Sequence, residues 1–233
     1  MQKEIEVRDE SLFPERPDYL FDANAWPRRI GDAQEGRGGT VLVADARGAF
    51  ALRHYRRGGL VARLLEDRYW FRGAENTRSL REWHLLQDMV ALGLPVPAPA
   101  AARFTREGFF YRADILTRLI PDSDTLAQRL TRRPLVPELW HRLGEVIARF
   151  HQAGICHADL NAHNVLLDSG SRWHLIDFDR GAQRKPGKWR LGNLGRLHRS
   201  LEKERDRMHA KHWEHADWNT LLEGYAAVSD SRR

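Results

Sequence analysis

Apolar residues recur with two different periods along this chain, and the change of period lays out its elements. Early in the chain the pattern alternates. Residues 40–44 and 49–55 read as two strands joined by a tight turn over 45–48, and residues 113–119 as a further strand. Between them, "LREWHLLQDMVALG" sets Glu82, Leu86 and Met89 at i, i+4 and i+7, so a helix capped by Thr77 or Ser79 carries Glu82 on its core side. "GLPVPAP", residues 93–99, ends that helix in a stiff connector. Later the period is helical. Pro137 opens "ELWHRLGEVIARFHQAG", where Leu139, Leu143, Val146, Ile147 and Phe150 share a face and Gly154 is the stop. Two short strands follow, 165–167 and 173–176, turned by Asp168, Ser169 and Gly170, and then a stripe of Leu194, Leu197 and Leu201 on another helix. The expected class is α+β. Residues 1–119 form a small β-rich part, residues 120–233 a larger helical one, and a hinge lies near 120–122.

The stretch between the Gly154 stop and the short strands carries the chemistry. In "HADLNAHNVLL", His157, Asp159 and Asn164 fall on the fixed positions of the kinase catalytic loop H-R-D-x-x-x-x-N, with Ala158 in the Arg slot. In that pattern the Asp accepts a hydroxyl proton and the Asn holds a metal ion. After the hairpin, Asp177-Phe178-Asp179 stands where Asp-Phe-Gly is expected, which keeps the metal-binding acid and removes a glycine's backbone freedom. His157 is read as a core histidine that orients Asp159, and its neighbour Cys156 as a small buried apolar residue.

Residues nearer the N-terminus supply what the phosphates of ATP need. A Gly-rich turn, Gly36, Gly38 and Gly39, enters the first strand, where amides without a Cβ in the way can approach phosphate; an ordinary hairpin loop accounts for it equally well. Ala51 and Arg53 share a face of the second strand, the placing of Ala and Lys in V-A-I-K with Arg for Lys. Glu82 is the carboxylate expected to hold that cation, against the alternative of a surface ion pair. Asn161 occupies the slot of a phosphate-contacting Lys, so another cation must do that work or the contribution is absent.

With 233 residues, 42% hydrophobic and 30% charged, the chain is expected to fold and to be soluble. One cysteine cannot form an internal disulfide, and the start shows neither an apolar run of about 18 residues nor a leader. A reducing, cytoplasmic setting is the expectation. A net charge of +6 points to an anionic partner: nucleic acid, a membrane surface or a phosphorylated substrate.

"GRGGT", "LRHYRRGG", "GLPVPAP", "HADLNAHNVLL", "IDFDRG" and "WRLGNLGRLHRSLEK", spread over residues 36–203, together resemble the lipopolysaccharide-core sugar kinases of the protein-kinase-like superfamily, and most closely the 3-deoxy-D-manno-octulosonic acid (Kdo) kinases. The resemblance implies a bilobal protein-kinase-like fold that binds Mg2+ and ATP between its lobes. It implies transfer of the γ-phosphate to the 4-hydroxyl of Kdo on a lipid A precursor, at the cytoplasmic face of a Gram-negative inner membrane, by a peripheral protein. Asp159 is then the base, and Asn164 and Asp177 are the metal ligands.

Residues 180–199 contain no Ser, Thr or Tyr and no A-P-E follows, which argues against an activation loop switched by phosphorylation. Arg180, Arg184, Lys185, Lys188 and Arg190 are candidates to meet phosphates on lipid A or anionic lipid, the alternative being a solvated surface. His209, His212 and His215 follow at i, i+3 and i+6, a spacing that raises zinc as an alternative, but on a helix they fan over about a third of the circumference, which weighs against one shared ion. Two rival functions share part of the pattern. A heptose or aminoglycoside-type small-molecule kinase would accept a soluble sugar or antibiotic as readily as the lipid. A nucleic-acid-binding protein on an inactive kinase scaffold would bind DNA or RNA with steep salt dependence, but no nucleic-acid partner is expected because no binding motif for one is present.

Overall fold

The computed structural model describes residues 2–32, 39–56, 67–208 and 212–230. Two compact units emerge: Met1–Asp88 with Pro97–Leu119, and Met89–Val96 with Ile120–Arg233. The first is built on a sheet and the second largely on helices, which is the α+β class the periodicity predicts.

In the first unit β1 (Gln2–Arg8), β2 (Arg28–Asp32), β3 (Thr40–Asp45), β4 (Gly48–His54), β6 (Pro99–Glu107) and β7 (Phe110–Arg118) run antiparallel in the order β1-β6-β7-β4-β3-β2. A short β5 (Tyr69–Trp70) also pairs with β7. The β3–β4 hairpin is closed by the pair Asp45↔Gly48, leaving a two-residue turn in which Asp45 Oδ1 accepts from the Arg47 amide at 2.7 Å. Gly48 has φ +134, outside the range of ordinary side chains, so this turn needs glycine there. Alternation along β4 sends Phe50 and Leu52 into a core with Phe13, Leu20, Phe21 and Trp26, and turns Ala51 and Arg53 to the opposite face. The aromatics of residues 13–26 close that core, with Phe13 and Trp26 centred 5.6 and 5.5 Å from Phe50.

α1 (Arg78–Ala91) starts where the sequence predicts, with Leu80, Trp83, Leu86 and Met89 buried. Thr77 precedes its first residue, but its hydroxyl donates back to the Ala74 carbonyl at 2.7 Å, and Ser79 donates to the Arg103 carbonyl. Residues 89–96 group with the second unit instead of falling inside a 1–119 lobe. The Leu175 amide donates to Pro95 and Arg149 to Gly93, each at 3.0 Å, and those bonds tie the connector there.

The second unit contains β8 (Ser123–Thr125), α2 (Leu126–Arg132), α3 (Pro137–Gln152), β9 (Ile155–Cys156), β10 (Val165–Asp168), β11 (Trp173–Leu175), β12 (Ala182–Gln183), α4 (Trp189–Met208) and α5 (His215–Asp230). α2 opens on a capping box, Thr125 Oγ1 accepting from the Gln128 amide while Gln128 Oε1 accepts from the Thr125 amide. β10 and β11 form the expected hairpin, and Asp168 holds its turn by accepting from the Arg172 amide, Arg172 Nε and His174 Nε2 at 2.9–3.0 Å. Leu194, Leu197 and Leu201 are buried, so the stripe on α4 is a core face. The single helix imagined through residues 209–215 is not present: residues 212–214 are non-helical and α5 begins at His215, while His209 lies outside the described residues.

α3 and α5 meet backbone to backbone. A Cβ on Gly144 would lie 1.9 Å from the Leu221 carbonyl oxygen, and one on Gly224 would lie 2.0 Å from that of His141. Replacing a mid-helix glycine by alanine ordinarily adds up to about 1 kcal/mol of stability. Here the sign reverses, because the added carbon forces two helix backbones apart. Gly224→Ala is expected to lose about 1–3 kcal/mol in urea unfolding, the usual range for overpacking. A variant at least as stable as the parent would contradict this account of the contact.

Candidate functional site

The loop between β9 and β10 is held from inside by His157. Its Nδ1 accepts from the Asp159 amide at 3.1 Å and its Nε2 donates to the Ile176 carbonyl at 2.9 Å. Both ring nitrogens are therefore used by backbone, in a neutral ring that is 2% exposed. Asn161 forms the next turn, its Oδ1 accepting from the amides of His163 and Asn164 at 2.8 and 3.2 Å. Asn164 spans the loop, donating through Nδ2 to the Asp159 carbonyl at 2.9 Å. That bond commits its amide nitrogen and leaves Oδ1 as the oxygen available to a cation.

Asp177 is brought beside Asn164 by the hairpin register. Val165 pairs with Leu175, and the Ile176 amide donates to the Asn164 carbonyl at 3.0 Å, so the chain leaves the ladder at Asp177. Phe178 is buried, stacked on Phe150 at 5.8 Å and centred 4.6 Å from His157. Asp177 and Asp179 are partly exposed on either side of it. The left-handed residues of this segment are Asp177, φ 62, and Arg180, φ 63; Asp179 is not among them, so an acid in the third position of D-F-D meets no backbone obstacle.

Helix α4 lies along this loop and meets it at one-turn intervals. Asn193 accepts from the His157 amide at 3.2 Å and donates to the His157 carbonyl at 2.7 Å. Arg196 Nη1 reaches Asp159 Oδ1 at 3.4 Å, Ser200 Oγ accepts from the Ala162 amide at 3.1 Å, and Glu204 Oε1 lies 3.1 Å from His163 Nε2. Asp159 itself is exposed, its other oxygen accepting from Asn161 Nδ2 at 3.2 Å. An outward carboxylate fixed at its backbone and flanked by one amide and one guanidinium can accept a proton from a bound hydroxyl. Asn193 and Arg196 are missing from the sequence-level candidates. In the sequence nothing separates them from the other polar residues of this largely charged helix.

In the first unit Arg53 and Glu82 do pair, Nη2 to Oε2 at 2.5 Å. Tyr55 joins them, its hydroxyl donating to the same Oε2 at 2.6 Å while its ring lies 4.8 Å under the Arg53 guanidinium. Glu82 is 4% exposed, so this is a buried pair and not the surface one weighed as the alternative. Tyr55 was legible as the next residue of the alternation Ala51, Arg53, Tyr55. Ala51 lies in β4 opposite Leu42 and Thr117. Gly36 and Gly38 lie outside the described residues, and Gly39 is exposed just ahead of β3.

Among the basic candidates Arg180, Arg184, Lys185 and Lys188 are exposed. Arg190 differs. It is partly buried and its Nη2 donates to the His151 carbonyl at 2.7 Å, so it neutralises the C-terminal end of α3 instead of facing an external phosphate. Cys156 is buried in β9.

Behind the loop, His151 Nε2 donates to Asn193 Oδ1 at 3.3 Å and its Nδ1 accepts from the Tyr225 hydroxyl at 2.8 Å. Burial lowers its pKa to about 4, Asn193 opposing and Arg190 reinforcing the shift. Burial likewise lowers that of His157, opposed by the Ile176 carbonyl and the charges of Asp177 and Asp159. Both folded-state values lie below the unfolded one near 6.5, so the unfolded chain binds more protons. The stabilisation is complete above about pH 6.5 and is lost as pH falls toward 4, with about 3 kcal/mol at stake for His151. Urea unfolding between pH 7.5 and 4.5 should show that slope, and His151→Gln should flatten it. An equally steep slope in the variant would contradict the assignment.

Residues 23–225 match the lipopolysaccharide kinase (Kdo/WaaP) family. A 3-deoxy-D-manno-octulosonic acid kinase of Photobacterium profundum is 42% identical over 220 residues, covering 93% of this chain and 92% of that one. Proteins of the same name from Haemophilus influenzae (strain PittEE) and Xanthomonas campestris pv. campestris (strain B100) are 41% and 46% identical over 91% and 80% of this chain, and 91% and 75% of theirs. With the fold and the loop geometry, these matches make the protein an ATP-dependent phosphotransferase that belongs to the lipopolysaccharide kinase (Kdo/WaaP) family.

Proposed function

We propose that the protein phosphorylates the 4-hydroxyl of Kdo carried on a lipid A precursor, using ATP and Mg2+, as a peripheral enzyme at the cytoplasmic face of a Gram-negative inner membrane. The observation that carries the reading is the loop: an exposed Asp159 fixed at its backbone by His157 and Asn164, one strand end away from Asp177. The relatives named as Kdo kinases supply the acceptor. The donor set suits Mg2+, since Asn164 Oδ1 and the Asp177 carboxylate are hard oxygens brought together by adjacent strand ends. A bound Mg2+ would neutralise the phosphate charge during transfer.

In this reading Asp159 takes the proton of the attacking hydroxyl. Arg196 supplies the cation that Asn161 cannot, within reach of the group transferred to the hydroxyl held by Asp159. Arg53 takes the non-reacting phosphates, oriented by Glu82 and Tyr55. The exposed Arg180, Arg184, Lys185 and Lys188 suit phosphates of lipid A or an anionic bilayer, each worth about 1 kcal/mol near a charged surface. Among the described residues no helix is long and apolar enough to cross a membrane, so this basic segment is the proposed attachment.

Incubation with labelled ATP and, side by side, Kdo-bearing lipid A precursor, free Kdo, an aminoglycoside and a generic protein tests the acceptor. Selective labelling of the lipid is expected; preferential labelling of a soluble sugar or antibiotic would move the protein to the small-molecule reading. Asp159→Asn should lower kcat by about 10²–10⁴ with ATP affinity retained, the range for removing a general base. Arg196→Ala should lower kcat by about 10–100-fold, the equivalent of one hydrogen bond to a charged group, with an unchanged Tm because the side chain is 49% exposed. Parental kcat in either variant would remove that residue from the mechanism.

A further inference from the structure

One His/Glu cluster takes no part in the phosphoryl-transfer site. His198 and Glu202 stand one turn apart on α4, and His215 is the first residue of α5. Glu202 Oε1 lies 3.8 Å from His198 Nε2 and 3.9 Å from His215 Nδ1, and the three atoms all lie within 4.8 Å of one another. Three ligand atoms around one tetrahedral ion sit about 3.3 Å apart, as follows from metal–ligand bonds near 2 Å. Small rotations of the exposed His215 and the partly buried His198 and Glu202 side chains close that difference.

Glu202 shows what the arrangement is for. Its Oε2 is bound by Arg205, and Oε1 is left buried with no hydrogen-bond partner among the described residues. A buried, unpartnered carboxylate oxygen is costly unless a cation meets it. Among the described residues the groups that face Oε1 are two imidazoles, at distances too long for hydrogen bonds but open to an ion that all three groups share. The rings are also held. His198 packs edge-on against Trp213 and Trp218, with centroids at 5.6 and 4.7 Å, and His215 lies 5.6 Å from Trp213. The backbone at His215 is fixed by Asp217, which accepts from the Glu214 amide at 3.0 Å. Aromatic neighbours beside the rings and a second hydrogen bond on the carboxylate are the kind of support that metal ligands require.

We propose that His198, Glu202 and His215 bind one divalent transition ion of the zinc class, through two imidazole nitrogens and one carboxylate oxygen, with solvent completing the shell. The site joins α4 to the first turn of α5. Its nitrogen ligands suit zinc or cobalt and disfavour Mg2+, so it is chemically distinct from the oxygen donors Asn164 and Asp177.

The test uses the full chain, stripped with EDTA and desalted, and titrated with Co2+ while the visible spectrum is followed. One equivalent should give the intense absorption of four- or five-coordinate cobalt, bleached by Zn2+ and untouched by Mg2+. His215→Ala, whose side chain is 71% exposed and so leaves the fold intact, should weaken Co2+ binding by about tenfold or more, as should Glu202→Gln. His212→Ala, a neighbouring histidine outside the cluster, should bind like the parent. Zn2+ should raise the Tm of the parent and leave that of His215→Ala unchanged. The proposal fails if no such cobalt spectrum develops, or if it develops equally in His215→Ala.

Discussion

The second unit depends on one buried amide, Asn193, and its grip on the backbone of His157. The side chain satisfies both the N–H and the C=O of a residue that has no ladder partner at that point, and it accepts from His151 as well. A buried backbone group left unpaired costs about 1–3 kcal/mol, so two such bonds to His157, with the third to the His151 ring, fix where α4 must lie against the loop. Once α4 is there, the helical repeat delivers Arg196 to Asp159, Ser200 to Ala162 and Glu204 to His163. His157 carries the constraint onward, binding the Asp159 amide on one side and the Ile176 carbonyl on the other. Asp159 and the hairpin that precedes Asp177 are thus referred to the same buried ring.

The charged groups divide by burial into two kinds of work. Glu82, with Arg53 and Tyr55 on a single carboxylate oxygen, is a buried pair whose separation would strand a charge. It fixes a cation's direction. Asp159 and Arg196 are both about half exposed or more and meet at 3.4 Å, a loose pair that can be opened by a substrate at little cost. Rigidity sits behind the loop, and Asp159 and Arg196 stay accessible.

Much of this was legible in the sequence because it is local. The spacing of His157, Asp159, Asn164 and Asp177 is written in one short stretch, and the loop and hairpin follow from it. The alternation in β4 put Arg53 on the same side as Glu82. What was not legible is non-local or disguised. β1 is "QKEIEVR" and β6 begins "PAAAR", one largely charged and the other alanine-rich, so neither reads as a strand until they pair with each other. Asn193 reads as a poor helix former, and only its partner 36 residues earlier explains it. Arg190 reads as one more surface cation, though it closes the end of α3. No glycine or proline marks the non-helical residues 212–214 ahead of α5, so the break in the helical period was not legible, and His215 instead meets partners on α4.

The central claim is that Asn193, a residue touching no reacting atom, positions the catalytic loop. Steady-state kinetics of Asn193→Ala with ATP and the Kdo-bearing lipid, alongside its urea-unfolding curve, test this most directly. The account predicts a folded but weakened protein whose kcat falls by about 100-fold while its KM for ATP stays within about twofold, because proton acceptance is displaced and nucleotide contacts elsewhere are not. A variant that loses stability yet keeps the parental kcat would contradict it, and would reduce the contact between Asn193 and His157 to a packing interaction.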